Sequence, residues 1–168
     1  MLEAVIIQRL QSTFASPIAK GFIVFSARWA IYLFIPFVIL LRFFPKTRDA
    51  FAPTCWAALL AFATSTVLAQ LIGRVRPYLA GIGVHALVPP NIQSGSFPSS
   101  HTAIAAAVAA MITTTHPIAG LIACILAVII AFGRVAAGMH YPSDVLGGAA
   151  LGLLSALIVR AVQVALAK

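Results

Sequence analysis

The sequence predicts an all-α integral membrane protein: about five transmembrane helices preceded by an N-terminal amphipathic, interfacial helix, in a single membrane-embedded domain spanning 1–168. Three observations predict it. Apolar residues make up 62% of the 168 and charged residues only 8%, against an apolar share of about 45–50% in soluble domains. Mean hydropathy is +1.06. Apolar stretches recur at lengths close to the roughly 20 helical residues that cross a bilayer. Eleven Lys and Arg stand against three acids, a net charge of +8, which in a soluble chain would point to nucleic acid. Here they read as cytoplasmic-loop positives plus arginines reserved for an anionic ligand, and no nucleic-acid partner is expected.

In chain order, Ile6, Ile7, Leu10 and Phe14 recur at helical spacing with Glu3, Gln8, Arg9, Gln11 and Ser12 between them. This predicts a helix over 1–17 lying in the membrane interface. The same stretch lacks the continuous apolar run and cleavage site of a signal peptide. Transmembrane segments are predicted near 21–44, 51–73, 99–115, 117–135 and 143–166. The first holds Arg28 beside Trp29, a cation that either snorkels to an interfacial belt or serves function. The second opens with Pro53 in its first turn and ends at Gly73. The third and fourth are parted only by "THP", so His116 is a turn residue. Both are short, at about 17 residues or roughly 25 Å, which draws the loops at their other ends below the interface. In the fifth, Gly148 and Gly152 mark close helix packing more simply than a dimer face. Cys55 and Cys124 lie in apolar runs and read as small packed hydrophobes.

Those other ends are where polar residues collect, at 73–102 and 133–148. Helices joined at "THP" are antiparallel, so both stretches lie on one side of the membrane. Irregular backbone at that depth is tolerated where it lines a wet cavity or is buried in protein, which predicts a polar pocket on one face. Arg42, Lys46, Arg48, Arg160 and Lys168 fall on the opposite side, against Arg9, Lys20 and Arg28 on the pocket side, apart from the pocket's own arginines. That balance places the pocket outward and the C-terminus in the cytoplasm.

Within "FPSSHT" at 97–102, Ser99 or Ser100 caps an alanine-rich helix whose free N–H groups form an anion site suited to phosphate. His101 stands in its first turn. In "GRVAAGMHYPSDVLGG" at 133–148, Pro142 and Asp144 fit the first turn of the last helix. His140 lies four residues before Asp144, whose carboxylate can reach back to one ring nitrogen and steady the imidazolium. Arg134 either pairs with Asp144 or holds phosphate. In "GRVRPYLA", Pro77 biases Arg76 out of helical geometry, so Arg76 caps the second segment with its planar fork free for a phosphoryl group. Arg74, two positions away, is expected to meet headgroups or a second phosphate, and His85 is either a loop histidine or a second-phosphate contact. Two arginines, two histidines, a carboxylate and a helix start on one face point to phosphoryl transfer, one histidine attacking and the other protonating the departing oxygen. Asp144 is the sole third ligand near the two histidines and neither HxxxH nor HExxH occurs, so neither metal nor other cofactor is expected.

These residues resemble the type 2 phosphatidic acid phosphatases, whose signatures are KxxxxxxRP, PSGH and SRxxxxxHxxxD. Arg76-Pro77, then Pro98-Ser99-Ser100-His101, then Arg134, His140 and Asp144 match them in order. The resemblance implies a membrane-embedded, metal-independent lipid phosphatase. His140 would form a phosphohistidine, with Asp144 orienting it and His101 acting as general acid, while Arg76, Arg134, Ser99 and Ser100 bind phosphate. "RPYLAGIGVHALVPP", "FPSSHT" and "GMHYPSDVLGG" are most similar to the bacterial undecaprenyl-diphosphate phosphatases of the bacitracin-resistance type. This implies a polyprenyl diphosphate substrate at the outer face of the cytoplasmic membrane. Phosphatidylglycerophosphate, phosphatidate and lipid A stand as alternatives, and a non-catalytic lipid-phosphate binder or transporter as a further one. Three positions depart from the pattern: Ala69 replaces the lysine, Gly133 the serine of the third signature, and Ser100 the glycine of PSGH.

Overall fold

The computed structural model describes residues 2–44, 47–89 and 95–166, and among them every regular element is helical. The predicted cations Lys46 and Lys168, and positions 90–94 of the polar stretch 73–102, lie outside the described residues. The helices are α1 (Leu2–Thr13), α2 (Pro17–Val24), α3 (Phe34–Leu41), α4 (Arg48–Ile72), α5 (Ser100–Thr113), α6 (Pro117–Ala136) and α7 (Pro142–Leu166). α2 runs into α3 through a π-helical turn, Phe25–Trp29, and a 3-10 turn, Ala30–Leu33. Pro17–Leu41 is thus one span, and with α4, α6 and α7 it makes four lengths apolar enough to cross a membrane, joined by the shorter apolar α5.

α5 is the hub, packed on α4, α6 and α7. Its alanines make this possible: Ala103, Ala105, Ala107 and Ala109 are all buried, and such small residues let helix backbones approach closely where lipid gives no hydrophobic drive. α7 answers with its own small residues. A Cβ on Gly148 would strike the Ser99 backbone, and one on Gly152 the Ala103 carbonyl, so this glycine pair serves packing inside the chain. Large apolar side chains such as Trp56, Leu121, Val128 and Leu157 face outward, as a lipid-facing surface requires.

Several boundaries differ from expectation. α4 begins at Arg48, so Pro53 sits inside the helix and not in its first turn. The helix closes on Gly73, whose φ of 61° is left-handed and accessible to glycine without a side-chain clash. Arg76 therefore does not cap α4; it stands three residues beyond, in extended backbone ahead of the turn Pro77–Leu79. The first span is broken and not a continuous helix over 21–44. His116 does close the α5–α6 turn, accepting the Ala119 N–H at 3.2 Å as the N-cap of α6. α1 departs most from a helix merely lying in an interface. Ile7 is fully buried against Val84, Val135 and Val145. Gln8 donates to the Ile82 carbonyl at 2.5 Å and Gln11 to that of His85 at 2.7 Å. Two glutamines of the expected polar face of α1 are thus spent on the loop after α4, which holds the helix over the polar end of the bundle.

Candidate active site

A cavity of about 540 Å³ opens at that end, lined by Arg76, Ser100, His101, Arg134 and His140 among others. The elements that deliver these groups arrive from four places in the sequence. Ser100 and His101 open α5, Arg134 sits in the last turn of α6, His140 lies in the connection to α7, and Arg76 hangs from the loop after α4. Gly138, with φ 74°, makes the reversal that brings His140 back beneath α6. The His140 N–H donates to the Arg134 carbonyl at 3.3 Å, closing that reversal.

His140 is 3% exposed. Its Nδ1 stands 2.7 Å from the Ser96 carbonyl; a carbonyl only accepts, so Nδ1 carries the hydrogen and Nε2 the lone pair. Nε2 turns toward the two guanidiniums, 3.0 Å from Arg134 Nη2 and 3.4 Å from Arg76 Nη1. Burial first, and then the charges of Arg134 and Arg76, outweigh the pull of Asp144 and push the imidazole down from 6.5 to about 4. The ring is neutral at pH 7, with its lone pair aimed at the place where the arginines converge.

Asp144 does not orient His140 by a direct short hydrogen bond. Its Oδ2 lies 3.7 Å from Nδ1, because Ser96 occupies that direction: the Ser96 hydroxyl donates to Oδ2 while its carbonyl takes the Nδ1 hydrogen. The fully buried carboxylate also accepts from the Tyr141 N–H at 2.8 Å and from Arg74 Nη1 at 2.6 Å. Arg74, expected to meet headgroups or a second phosphate, is thus an internal partner in this structure. It also donates to Ser143 Oγ at 2.6 Å, pairs with Glu3 at 2.9 Å and lies over the Tyr141 ring at 4.2 Å. Glu3 completes the set by accepting the Ser143 N–H at 2.8 Å, one of the free donors at the start of α7. Ser96 and Glu3 had no signal in the sequence. A backbone carbonyl is invisible there, and Glu3 reaches its partners across some 70 and 140 positions.

The remaining expected residues divide. Arg134 points Nη1 at the Ala27 carbonyl, 3.0 Å away, and its buried Nε has no partner among the described residues. Arg76 donates to the Met139 carbonyl at 3.2 Å and to that of Gly95 at 3.3 Å. Ser99 is the N-cap of α5 but makes no side-chain cap. Its hydroxyl is buried and accepts from Thr102 at 3.1 Å, so it does not line the cavity, whereas Ser100 does. His85 is exposed and lies outside the cavity, its backbone held by Gln11. Arg28 joins the cavity from the first span, and Gln70 from α4. Gly133 is explained by packing: a Cβ there would strike the backbone of Ser26 and Ala27. Among the described residues no group of three or more His, Cys, Asp or Glu is placed to hold a metal ion.

Residues 50–167 match the PAP2 superfamily. The chain is 34% identical over 106 residues to the bacitracin transport permease protein BcrC of Bacillus licheniformis, covering 61% of this chain and 52% of that one. It is 29% identical over 138 residues to an undecaprenyl-diphosphatase of Sulfolobus acidocaldarius, covering 79% and 65%. The chain thus spans about half to two thirds of the length of these relatives. Among solved structures it is similar to Aquifex aeolicus LpxE, with TM-score 0.76 and 26% identity over 90% of this chain and 92% of that one.

Proposed function

Because the chain belongs to the PAP2 superfamily of lipid phosphatases, we propose that it hydrolyses a membrane lipid diphosphate, undecaprenyl diphosphate foremost, to the monophosphate through a phosphohistidine on His140. The observation that carries this reading is the aim of Nε2: a neutral, buried imidazole whose lone pair faces two guanidiniums and not a carboxylate.

Arg134, Arg76 and the first N–H groups of α5 hold the phosphoryl oxygens, and the spare Arg134 Nε donor supports that role. Nε2 attacks phosphorus in line; the N–P bond forms as the bond from phosphorus to the leaving oxygen breaks. His101, on the same cavity, is protonated when the anionic phosphate sits against it, and gives that proton to the leaving oxygen. The positive charge gained by His140 is met by Asp144 through Ser96 and across the 3.7 Å gap. His101 then takes a proton from water, whose oxygen attacks phosphorus, and the N–P bond breaks to release phosphate and restore both rings. Positioning and electrostatic stabilisation by the arginines supply the catalysis, without a metal or other cofactor.

A lipid substrate is supported by the cavity's neighbour. An apolar groove of about 380 Å³, lined by residues such as Phe34, Val38, Phe51 and Ala58, shares Tyr32 and Ile104 with the polar cavity. A lipid phosphate can enter sideways between the first span and α4, leaving its chain in that groove. With Arg28 counted in the cavity, the pocket side retains Arg9 and Lys20 as flanking positives, which favours an outward-facing site in a bacterial cytoplasmic membrane.

The test is phosphate release in excess EDTA from undecaprenyl diphosphate, phosphatidylglycerophosphate, phosphatidate and lipid A. The diphosphate is expected to turn over fastest, and His140→Ala to lose at least ~10⁴-fold in kcat, as removal of a nucleophile does. Acid quench of wild type during turnover should trap phosphohistidine. Tight lipid-phosphate binding without release from any substrate would instead make the chain a binder or transporter.

A further inference from the structure

We propose that Arg28, on the same cavity as Gln70 of α4, forms a subsite for the second, lipid-bearing phosphate of a diphosphate substrate, and so sets preference for diphosphate over monophosphate. The proposal rests on the phosphatase reading and names a part of the site which that reading leaves unassigned.

Arg76 and Arg134 are committed to the reacting phosphoryl group, since both converge on His140 Nε2. Arg28 is a third guanidinium on the same cavity, delivered from another element. It lies within a membrane span, where an arginine costs on the order of 2.5–3.5 kcal/mol on insertion scales. Among the described residues it has no ion pair and no hydrogen bond; its one contact of note is the ring of its neighbour Trp29, 5.1 Å from Cζ. The side chain is exposed and lines the cavity without a counter-ion among those residues, so it is available to an anion that arrives with the ligand.

Its place along the cavity says which anion. Tyr32, one helical turn beyond Arg28, lines both the polar cavity and the apolar groove. Arg28 therefore belongs to the stretch of the first span that leads from the polar cavity to the apolar groove. In a diphosphate that position belongs to the phosphate carrying the lipid. Thr66 and Gln70, one turn apart on α4, face the same cavity, and the Gln70 amide adds neutral donors. The π-helical turn supplies the geometry, since Arg28 lies within it and π-bulges frequently mark functional positions. When Nε2 attacks the terminal phosphorus, the bond from that phosphorus to the bridging oxygen breaks and the oxygen leaves on the lipid monophosphate. Arg28 meets the negative charge gained there.

The experiment compares farnesyl diphosphate with farnesyl monophosphate in detergent, using wild type, Arg28→Ala and Arg28→Lys, each checked for a monodisperse elution profile. The ratio of kcat/KM for diphosphate over monophosphate is expected to fall about 30-fold in Arg28→Ala, the scale of one charge-assisted hydrogen bond, and to recover in part in Arg28→Lys. An unchanged ratio overturns the subsite, whatever happens to both rates together. Binding of a non-hydrolysable farnesyl methylenebisphosphonate, set against farnesyl phosphonate, reads the same preference without turnover. If wild type hydrolyses neither farnesyl compound nor any lipid of the panel above, the phosphatase reading fails, while an Arg28-dependent preference for the bisphosphonate would still stand. Loss of that preference in wild type overturns the subsite as well.

Discussion

The central bundle and the first span meet at one cavity but reach it by opposite means. α5, α6 and α7 are unbroken helices that approach closely through alanine and glycine, and they present His101, Arg134 and Asp144 from helix ends. The first span changes from α to π to 3-10 and back within Pro17–Leu41, and it delivers Arg28 from its irregular part. The bundle fixes the reacting group. The first span touches it from outside, through the Ala27 carbonyl on Arg134 and through its fit against Gly133. The difference teaches that regular helix ends suffice to converge charges on one atom, while the first span, with its pitch altered, brings a long side chain and a backbone carbonyl to the same site.

Removing the bundle's buried carboxylate has the largest expected effect on this comparison. Asp144→Ala leaves the Tyr141 N–H and the Ser96 hydroxyl without their acceptor and Arg74 Nη1 with Ser143 alone, and would leave the imidazolium of the proposed phosphohistidine without a nearby negative charge. A loss of ~10³-fold or more in kcat is expected, with KM moving far less, by analogy with removal of a histidine's carboxylate partner. Steady-state phosphate release checks it. A loss below tenfold would mean that the Ser96 carbonyl alone orients and stabilises His140.

The seam between the two regions comes next. Gly133→Val places a branched side chain against the backbone of Ser26 and Ala27, while Gly21 on the same span has open space around it. The seam substitution is expected to cost about 1–3 kcal/mol, as overpacking does, and to lower activity roughly tenfold by shifting Ala27 away from Arg134. Gly21→Ala should be neutral or slightly stabilising, because alanine is the better helix former by about 1 kcal/mol. Thermal unfolding in detergent separates the two. Equal effects would show that the first span is not seated through Gly133.

How far the sequence carried this picture follows the same division. Spacing placed His140 and Asp144 near one helix start and His101 at another, and antiparallel helices joined at "THP" put both on one side; these are local rules of helix ends and chain reversal. The break in the first span was not legible, because "FIVFSARWAIYLF" is uniformly apolar around one arginine and carries neither proline nor glycine to announce a change of pitch. Nor was the true partner of His140 Nδ1, since the Ser96 carbonyl is backbone that any residue would supply. The internal pairing of Arg74 was not legible because its partners, Glu3 and Asp144, lie 71 and 70 positions away, and pairing at that range depends on where α1 docks. Which serine lines the cavity was not legible either, as the Ser99 hydroxyl turns to Thr102 and the next residue takes the cavity.

The smallest expected effect tests whether α1 belongs to the bundle's site or only covers it. Glu3→Gln keeps an acceptor for the Ser143 N–H but removes the charge that holds Arg74 against Asp144. Because Arg74 and Glu3 are both partly exposed, solvent weakens the pair, and exposed pairs contribute about 0.2–1 kcal/mol; a two- to fivefold loss in kcat with unchanged KM is expected. The pH dependence of stability gives a second reading. Burial alone would raise the Glu3 carboxyl, but hydrogen bonds from Ser143 and Arg74 outweigh it and hold the group below 4.5. A depressed carboxyl contributes stability above its unfolded value and loses it as pH falls through the folded one. His140 is also depressed, from 6.5 to about 4, so between those values the unfolded chain binds the extra proton and stability again falls with falling pH. Wild type should therefore lose melting temperature steadily from pH 6.5 downward. Glu3→Gln should keep the slope above pH 4.5, to which His140 contributes, and lessen the further fall below it by the share that Glu3 supplies. If the variant instead loses the upper slope, α1 is coupled to the imidazole itself and its docking is part of how the site keeps His140 neutral.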